Sequence, residues 1–250
     1  MIRRMEEQSM NAWPSLQTVL YDGWVIRVSG GYTKRANSIC PIYPSVLDLE
    51  EKLRYCEELY TSMRLPVVFK LTDACDPPDL DQVLEKKGYH KISETAVRIA
   101  RITEDSGDTG IPELRTEYEF TKEWVSTLIA CSNMSDPDRI EVMRRMLDNI
   151  LGDRICVRIN QKDEPVACGF GVIEAGYIGI YDIVVNPLYR GRGYGRAIMK
   201  SLLQEALRKN IDMAYLQVVV GNTIAEKLYD SLGFEEIYRY WYREKSFLNP

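Results

Sequence analysis

The chain has 250 residues, 45% of them hydrophobic and 28% charged, and a formal net charge of −5. This length can hold one large or two small domains, each with a real core. The acidic balance argues against nucleic-acid binding, which would need a local basic patch. No stretch approaches the ~20 apolar residues of a membrane helix, and residues 1–8 carry charges of both signs where a signal peptide would be apolar. We therefore expect no nucleic-acid or membrane partner.

The cysteines predict no metal site. There are six of them and a single histidine, His90, and none of their spacings resembles a zinc motif. We interpret the six as free, mostly buried thiols, which fits a reducing, cytoplasmic setting. They are Cys40, Cys56, Cys75, Cys131, Cys156 and Cys168.

The first half of the chain alternates strand and helix patterns. Residues 24–28 and 67–71 are short apolar runs typical of strands, and residues 48–63 have helical spacing of apolar side chains. Residues 80–87 predict a further helix that ends at Gly88. Residues 103–112 follow as a weak segment rich in turn formers. We predict a linker there, between an N-terminal lobe at 1–102 and a C-terminal domain at 113–250.

The second half predicts a larger set of elements. Residues 177–186 form a strand that is more continuously apolar than its neighbours, as a buried strand would be. The other predicted elements are helices at 123–131, 138–151, 192–209 and 224–231, and strands at 154–159, 165–174 and 214–220.

One pattern occurs in both halves. Residues 68–92 contain a strand, a turn, a helix and then Gly88-Tyr89, and residues 215–237 repeat this order up to Gly233-Phe234. The two halves are either copies of one α/β unit or two instances of an order that is common in α/β proteins. Both interpretations stay open at this point.

A glycine-rich segment joins the strand at 177–186 to the helix that follows. Residues 190–195 read Arg-Gly-Arg-Gly-Tyr-Gly, and Arg196 is the third arginine within seven residues. The first N–H groups of a helix have no intrahelical partner and lie at the positive end of its dipole, so they bind anions, and glycines let the backbone approach closely. The pattern predicts a phosphate site; the alternative is a loop that only turns a strand into a helix.

Two common phosphate loops do not match. A Walker loop needs Lys and then Ser or Thr after its last glycine, whereas Arg196 and Ala197 follow Gly195. The GxGxxG dinucleotide fingerprint also fails, because the glycines lie at every second position and the strand comes late in the chain. We expect neither nucleotide hydrolysis nor NAD binding.

The segment resembles motif A of the GNAT superfamily of N-acetyltransferases, written (R/Q)xxGx(G/A) and matched by Arg190, Gly193 and Gly195. The resemblance implies acetyl-CoA as cosubstrate without a metal, with its pyrophosphate on the N–H groups of the loop and its pantetheine arm along the preceding strand. The cofactor-binding residues that it implies are Ile183, Val184, Val185, Arg190, Gly191, Arg192, Gly193, Tyr194, Gly195, Arg196 and Asn222.

A second segment resembles motif B of the same superfamily. Asn222 opens a helix that carries Tyr229 and is followed by Gly233-Phe234. The resemblance implies that Tyr229 is the acid that protonates the thiolate of coenzyme A, which suits a phenol of pKa about 10 beside a thiol of about 8.5. The alternative is that Tyr229 only packs on Gly233 and Phe234.

The acceptor amine must react as its neutral form. A lysine-like amine of pKa about 10.4 is only ~0.1% neutral at pH 7, which costs about 4.6 kcal/mol, whereas an α-amine near pKa 8 costs about 1.4 kcal/mol. A general base therefore helps a lysine-like acceptor more. Glu174 and Asp182 are the carboxylates near the site in sequence, and we predict Asp182 as the base. The alternative is that Asp182 only forms hydrogen bonds at the end of the strand. Strand alternation would place its side chain opposite that of Ile183.

The first half lacks the RxxGxG pattern and has Leu84 where the second has Tyr229. Its polar Arg35, Asn37 and Ser38 either line an acceptor pocket or form a structural turn. By resemblance we expect an α/β (α+β) GNAT fold, with a mixed, largely antiparallel sheet flanked by helices, and two such lobes in tandem. The predicted function is acetyl transfer to a small-molecule or peptide amine in a ternary complex, by a monomer or homodimer. The alternative is a non-catalytic acyl-CoA sensor.

Overall fold

The chain contains both helices and strands in the computed structural model, which describes residues 1–103, 111 and 114–247. The predicted linker therefore lies, apart from residues 103 and 111, outside the described residues. The helices are α1 Ile2–Ala12, α2 Leu49–Ser62, α3 Leu80–Lys86, α4 Lys122–Cys131, α5 Pro137–Asp148, α6 Tyr194–Arg208 and α7 Thr223–Asp230. The strands are β1 Gln17–Tyr21, β2 Trp24–Val28, β3 Ile39–Pro41, β4 Val67–Thr72, β5 His90–Arg101, β6 Leu114–Glu117, β7 Asp153–Gln161, β8 Glu164–Glu174, β9 Tyr177–Val185, β10 Met213–Val219 and β11 Glu235–Lys245.

The chain divides into two compact units. The first contains Met1–Ala96 together with Tyr238–Pro250, and the second contains Val97–Ile237. This grouping differs from the predicted boundaries at two places, because the chain passes from one unit to the other inside β5 and again inside β11. The end of β11 pairs antiparallel with β4 in the first unit, from Tyr240 opposite Thr72 to Lys245 opposite Val67.

In the first unit the strands follow the order β1-β2-β3-β4-β11. Adjacent strands run antiparallel except β3 and β4, which are parallel. The core is aromatic: Phe69 lies with its ring centroid 5.4 Å from that of Trp24 and 5.6 Å from that of Tyr89, edge to face in both pairs. All three rings are buried, and their edge-to-face packing adds to the stabilisation from burial.

In the second unit the order is β5-β10-β9-β8-β7-β6. β6 to β9 form an antiparallel series and β9 pairs parallel with β10. Helices α4 and α6 pack on β7, β8 and β9. Trp124 of α4 is completely buried, and its indole Nε1 donates to the carbonyls of Val157 (3.1 Å) and Gly169 (3.3 Å). The mixed, largely antiparallel sheet flanked by helices confirms the predicted fold class.

The two units repeat one order of elements. Three strands, a helix, a strand and a helix follow one another as β1-β2-β3-α2-β4-α3 and again as β7-β8-β9-α6-β10-α7, with the same sequence of two antiparallel and one parallel pairing. Each copy ends in the same turn. The Tyr89 N–H donates to the Leu84 carbonyl (3.0 Å), as that of Phe234 does to Tyr229 (3.1 Å).

The glycines of this turn agree as well. Gly88 has φ +82° and Gly233 has φ +79°, a region that favours glycine. Order, pairing and turn geometry together support the interpretation of the halves as copies of one unit. They also confirm the alignment that places Leu84 at the position of Tyr229.

The polar stretch after β2 forms a turn. The Asn37 Oδ1 accepts hydrogen bonds from the N–H groups of Ser29 (2.7 Å) and Gly31 (2.8 Å), and its Nδ2 donates to the Thr33 carbonyl (2.8 Å). Ser38 is completely buried. Asn37 and Ser38 therefore stabilise the fold of this segment. These contacts support a structural turn and not an acceptor pocket lined by the two side chains.

Candidate functional site

A β-bulge interrupts β9 at Asp182. Phe170 of β8 lies opposite Tyr181 and Cys168 lies opposite Val184, so two residues of β9, Asp182 and Ile183, face the single residue Gly169. Asp182 has φ +47°, a left-handed conformation that Asp adopts more readily than most residues. The regular alternation assumed for Asp182 and Ile183 is wrong at this place, because a bulge breaks the period of two.

Gly169 makes room for the bulge. A Cβ atom built there would lie 2.4 Å from the Ile183 Cδ1 and 2.8 Å from the Ile198 Cγ2, so any larger residue would displace both side chains. An isolated glycine within an apolar strand is the sequence pattern that marks a bulge or a close approach. Gly169 was missed as a site residue, although this pattern could have identified it.

Beyond the bulge, β9 and β10 separate. Their parallel pairing extends from Tyr177 opposite Met213 to Ile180 opposite Leu216 and is not continued from there, although β9 runs on to Val185 and β10 to Val219. Residues 178–181 are buried, whereas residues 182–185 are half-buried. One edge of the end of β9 is paired with β8. Along the other edge the pairing with β10 stops, and this gap in the pairing leaves backbone groups with which an extended ligand can form hydrogen bonds.

The glycine loop ends at the start of α6, close to this gap. Gly191 has φ +75° and Gly193, the N-cap residue, has φ +83°, and a Cβ built on either would meet nothing within 4 Å. Both glycines are thus needed for their backbone conformation and lie against open space. Among the residues that the structure describes, no side chain caps α6 and its first turn carries no acidic residue. Its first N–H groups are therefore available to an anion.

Side chains around the loop fix it in place. The Tyr189 hydroxyl donates to Glu164 (2.6 Å) and the Gln161 Nε2 donates to the Tyr194 hydroxyl (2.5 Å). Glu164 and Gln161 were not predicted as neighbours of the loop. They lie where β7 turns into β8, and only the folding of the chain brings them to Tyr189 and Tyr194. A loop that is held in this way loses little conformational freedom when a ligand binds.

The three arginines are exposed and surround the start of α6. The Arg192 guanidinium lies 5.3 Å from the Tyr189 ring centroid, and the Arg196 Nη2 donates to the Ser231 hydroxyl (2.5 Å). Arg190 contacts the Val185 carbonyl through its Nε (3.4 Å). They add positive charge where the helix dipole already favours an anion.

Tyr229 lies on α7, which adjoins the start of α6. A Cβ built on Gly195 would lie 3.6 Å from the Leu228 Cδ2 and 3.7 Å from the Val185 Cγ2, so Gly195 brings α6 close to both α7 and β9. The Tyr229 ring is half-buried, 6.1 Å from the Phe234 ring, and burial raises the pKa of its hydroxyl. The phenol is therefore protonated throughout the neutral range.

Asn222 begins α7 as its N-cap, where its Oδ1 accepts from the Ala225 N–H (3.3 Å). This contact gives Asn222 a structural function in the helix. Contact between Asn222 and a cofactor stays a prediction.

Comparison with known proteins identifies the family. The profile of the family described as "Probable histone acetyltransferase Rv0428c C-terminal" matches residues 1–243. The chain belongs to this family. It is a GNAT-type N-acetyltransferase, and the predicted acyltransferase class is confirmed.

Similar proteins carry related descriptions. The "Uncharacterized N-acetyltransferase YobR" of Bacillus subtilis is 28% identical over 98% of this chain and 98% of its own length. A "[Ribosomal protein bS18]-alanine N-acetyltransferase" of Haemophilus ducreyi is 34% identical over 37% of this chain and 63% of that protein. The solved structure of a GCN5-related N-acetyltransferase from Kribbella flavida shares the fold with a TM-score of 0.68 at 14% identity, covering 97% of this chain and 95% of that one.

The first unit of this acetyltransferase differs from the second at the matching helix start. Asp48 caps α2 by accepting from the N–H groups of Glu50 (3.0 Å) and Glu51 (3.2 Å), and the two glutamates make the first turn acidic. A phosphate there would face three carboxylates. Leu84, at the position of Tyr229, is completely buried in the core. The first unit thus has neither the uncapped helix start nor the tyrosine of the second unit.

The described part of the acetyltransferase has neither a metal-binding cluster nor a membrane-spanning helix. Among residues 1–103, 111 and 114–247, no group of three or more His, Cys, Asp or Glu side chains could hold a metal ion. Within the same residues, no helix is both long and apolar enough to cross a bilayer.

Proposed function

We propose that the second unit transfers an acetyl group from acetyl-CoA to an amine, using the gap beside β9 and the start of α6 as the donor site. The observation that carries the proposal is the start of α6, which has no side-chain cap and is preceded by glycines. It follows β9, whose end is paired along one edge only. The pyrophosphate would accept hydrogen bonds from the N–H groups of residues 190–196, with Arg190, Arg192 and Arg196 around it. The pantetheine amides would pair with the backbone of Ile183, Val184 and Val185.

The transfer is a single displacement in a ternary complex. The neutral amine attacks the carbonyl carbon of the thioester, the new C–N bond forms, and the C–S bond breaks. Before the attack, the ammonium form of the acceptor loses a proton to Asp182. After the attack, the departing sulfur takes a proton from the Tyr229 hydroxyl, and the Tyr229 phenolate regains a proton from the nitrogen of the new amide. Burial of Tyr229 favours its neutral form, which is the form that can donate.

The acceptor class of the proposal is an amine on a peptide or small molecule. The family description names a histone acetyltransferase and the Haemophilus relative is named for alanine, so we consider a lysine side-chain amine and an α-amine as acceptors. These are the two amine classes that differ most in pKa. A test of the function must therefore include both.

The test is the release of free coenzyme A thiol from acetyl-CoA by the purified full chain. We expect release to depend on an added amine, supplied as a peptide with a free N-terminal alanine, a lysine-containing peptide with a blocked N-terminus, or a polyamine. The acetylated product is identified by mass. Tight binding of acetyl-CoA without release for any amine would instead support the acyl-CoA sensor, and absence of binding would contradict both.

The same assay tests Asp182 through the variant Asp182→Asn. Asn tolerates the left-handed conformation, so this change removes the charge and keeps the backbone. With a lysine-like acceptor we expect kcat/KM to fall about tenfold at pH 7 and about twofold near pH 9, where more of the amine is already neutral. An equal fall at both pH values would exclude Asp182 as the base.

A further inference from the structure

Two tyrosine hydroxyls join β9 to β10 at the place where the backbone pairing of these strands ends. Tyr181 is the first residue of β9 beyond the last pair, Ile180 with Leu216, and Tyr215 directly precedes Leu216 in β10. The two hydroxyl oxygens lie 2.8 Å apart, and both residues are buried. A hydrogen bond between side chains therefore stands at the inner end of the gap between the strands.

Gly179 makes room for this hydrogen bond. It lies opposite Tyr215, and a Cβ atom built on it would be 2.5 Å from the Oη and 2.5 Å from the Cζ of Tyr215. The ring of Tyr215 therefore lies over the backbone of Gly179 and reaches along β9 to Tyr181. Glycine inside a strand is typical of such a close approach.

Neighbouring aromatic rings hold both tyrosines in place. Phe170 of β8 stacks on Tyr181 with the ring centroids 5.5 Å apart, and Tyr177 meets the ring of Tyr215 edge to face at 6.5 Å. Phe170 is itself completely buried and packs against Trp124 of α4. Because protein interiors are close-packed, an added methylene group must displace such rings. An apolar chain that enters here would also break the hydrogen bond between two buried hydroxyls.

The proposed function determines which end of the donor would face these tyrosines. With the pyrophosphate at residues 190–196 and the pantetheine amides along Val185 to Ile183, the arm runs opposite to the chain direction of β9. Its sulfur would then lie near Asp182, about 10 Å from Val185 at ~3.3 Å per strand residue. The next residue of β9 in that direction is Tyr181, so the acyl group would approach the two tyrosine rings.

We propose that Tyr181 and Tyr215 set an upper limit on the length of the acyl group that the donor site accepts. Acetyl fits, whereas propionyl and butyryl carry additional methylene groups that would meet the two rings. The proposal rests on the proposed function, since it needs the thioester at the inner end of the gap. It makes the two tyrosines specificity-determining residues and gives them no part in proton transfer.

The experiment is a calorimetric titration of the full chain with coenzyme A, acetyl-CoA, propionyl-CoA and butyryl-CoA, which needs no acceptor amine. We expect the wild type to bind acetyl-CoA about tenfold more tightly than propionyl-CoA and about 100-fold more tightly than butyryl-CoA. The reason is that each added methylene group must be inserted into a packed interior. Coenzyme A carries no acyl group and serves as the reference for the rest of the donor site.

Two variants and a matched control assign the limit to the tyrosines. Tyr181→Leu and Tyr215→Leu each replace a ring by a smaller apolar side chain. Each should bring the affinity for butyryl-CoA to within about threefold of that for acetyl-CoA. The control is Tyr60→Leu, at a completely buried tyrosine of the first unit whose hydroxyl donates to the Arg27 carbonyl (2.8 Å). This variant should also lose stability in urea, but it should keep the 100-fold preference.

The outcomes separate this proposal from the donor site itself. Equal affinity of the wild type for acetyl-CoA and butyryl-CoA would overturn the limit set by the tyrosines and leave the donor site intact. A 100-fold preference that survives in both Tyr181→Leu and Tyr215→Leu would also overturn it. If none of the four ligands binds, this proposal and the proposed function both fail. The chain-length series on the wild type needs no variant, so it tests the proposal even if circular dichroism shows that a variant has unfolded.

Discussion

Replacing Gly193 with Glu will lower the affinity for acetyl-CoA at least about 100-fold, which corresponds to about 2.7 kcal/mol. The added carboxylate would stand at the N-cap of α6, where the proposed pyrophosphate accepts its hydrogen bonds, and like charges in contact cost several kcal/mol. The carboxylate would also compete for the same N–H groups as an N-cap side chain does. Isothermal titration of both proteins with acetyl-CoA measures the change.

A matched variant separates charge from backbone strain. Gly193 has φ +83° and a non-glycine residue there costs roughly 1–2 kcal/mol. Gly176, in the turn between β8 and β9, has φ +85° and the same open surroundings. Gly176→Glu should therefore lose similar stability in urea and retain wild-type affinity for acetyl-CoA. If Gly193→Glu binds as tightly as Gly176→Glu, the loop is not the phosphate site.

Tyr229→Phe will lower kcat about 100-fold and leave the affinity for acetyl-CoA within about twofold. The variant removes only the hydroxyl, and a positioned general acid contributes about 10²- to 10⁴-fold. The ring and its contact with Phe234 are retained, so stability should hardly change. Steady-state kinetics at saturating donor and a separate titration measure the two quantities. A fall in affinity with unchanged kcat would assign Tyr229 to binding.

The pH dependence gives a second test of Tyr229. Burial raises its pKa above the usual 10, so the hydroxyl remains protonated, and able to donate, up to and beyond pH 10. The wild-type rate should therefore rise with pH as the acceptor amine loses its proton, without a decline from Tyr229 below pH 10. The control for Tyr229→Phe is Tyr55→Phe, which changes a half-buried tyrosine on α2 of the first unit. This control variant should keep the kcat of the wild type.

The elements that carry the proposed donor site could be predicted because their determinants are local. Strand, glycine loop and helix follow one another over residues 177–208, and the glycines at positive φ lie where the sequence places them. The turn at Gly233 was equally clear. Each of these features depends on a few consecutive residues, so neither tertiary packing nor chain topology was needed to recognise it.

Features that depend on distant contacts were missed. α1 was not predicted because polar residues occupy its buried face, and Glu6, only 1% exposed, pairs there with the buried Lys70 at 2.5 Å. Charged residues normally predict a solvent-facing surface. The bulge at Asp182 and the pairing of β11 with β4 likewise arise from partners far away in sequence. No local pattern determines which strand becomes a neighbour.

The measurement that tests the account most directly is amide hydrogen exchange of the full chain with and without coenzyme A. Slower exchange is expected in peptides that cover residues 183–185 and 190–196, because the ligand would accept or shield these N–H groups. The corresponding segment of the first unit, residues 42–51, should be unaffected, since Asp48 already caps α2. Coenzyme A binding that protects residues 42–51 and leaves residues 190–196 unchanged would contradict the central claim.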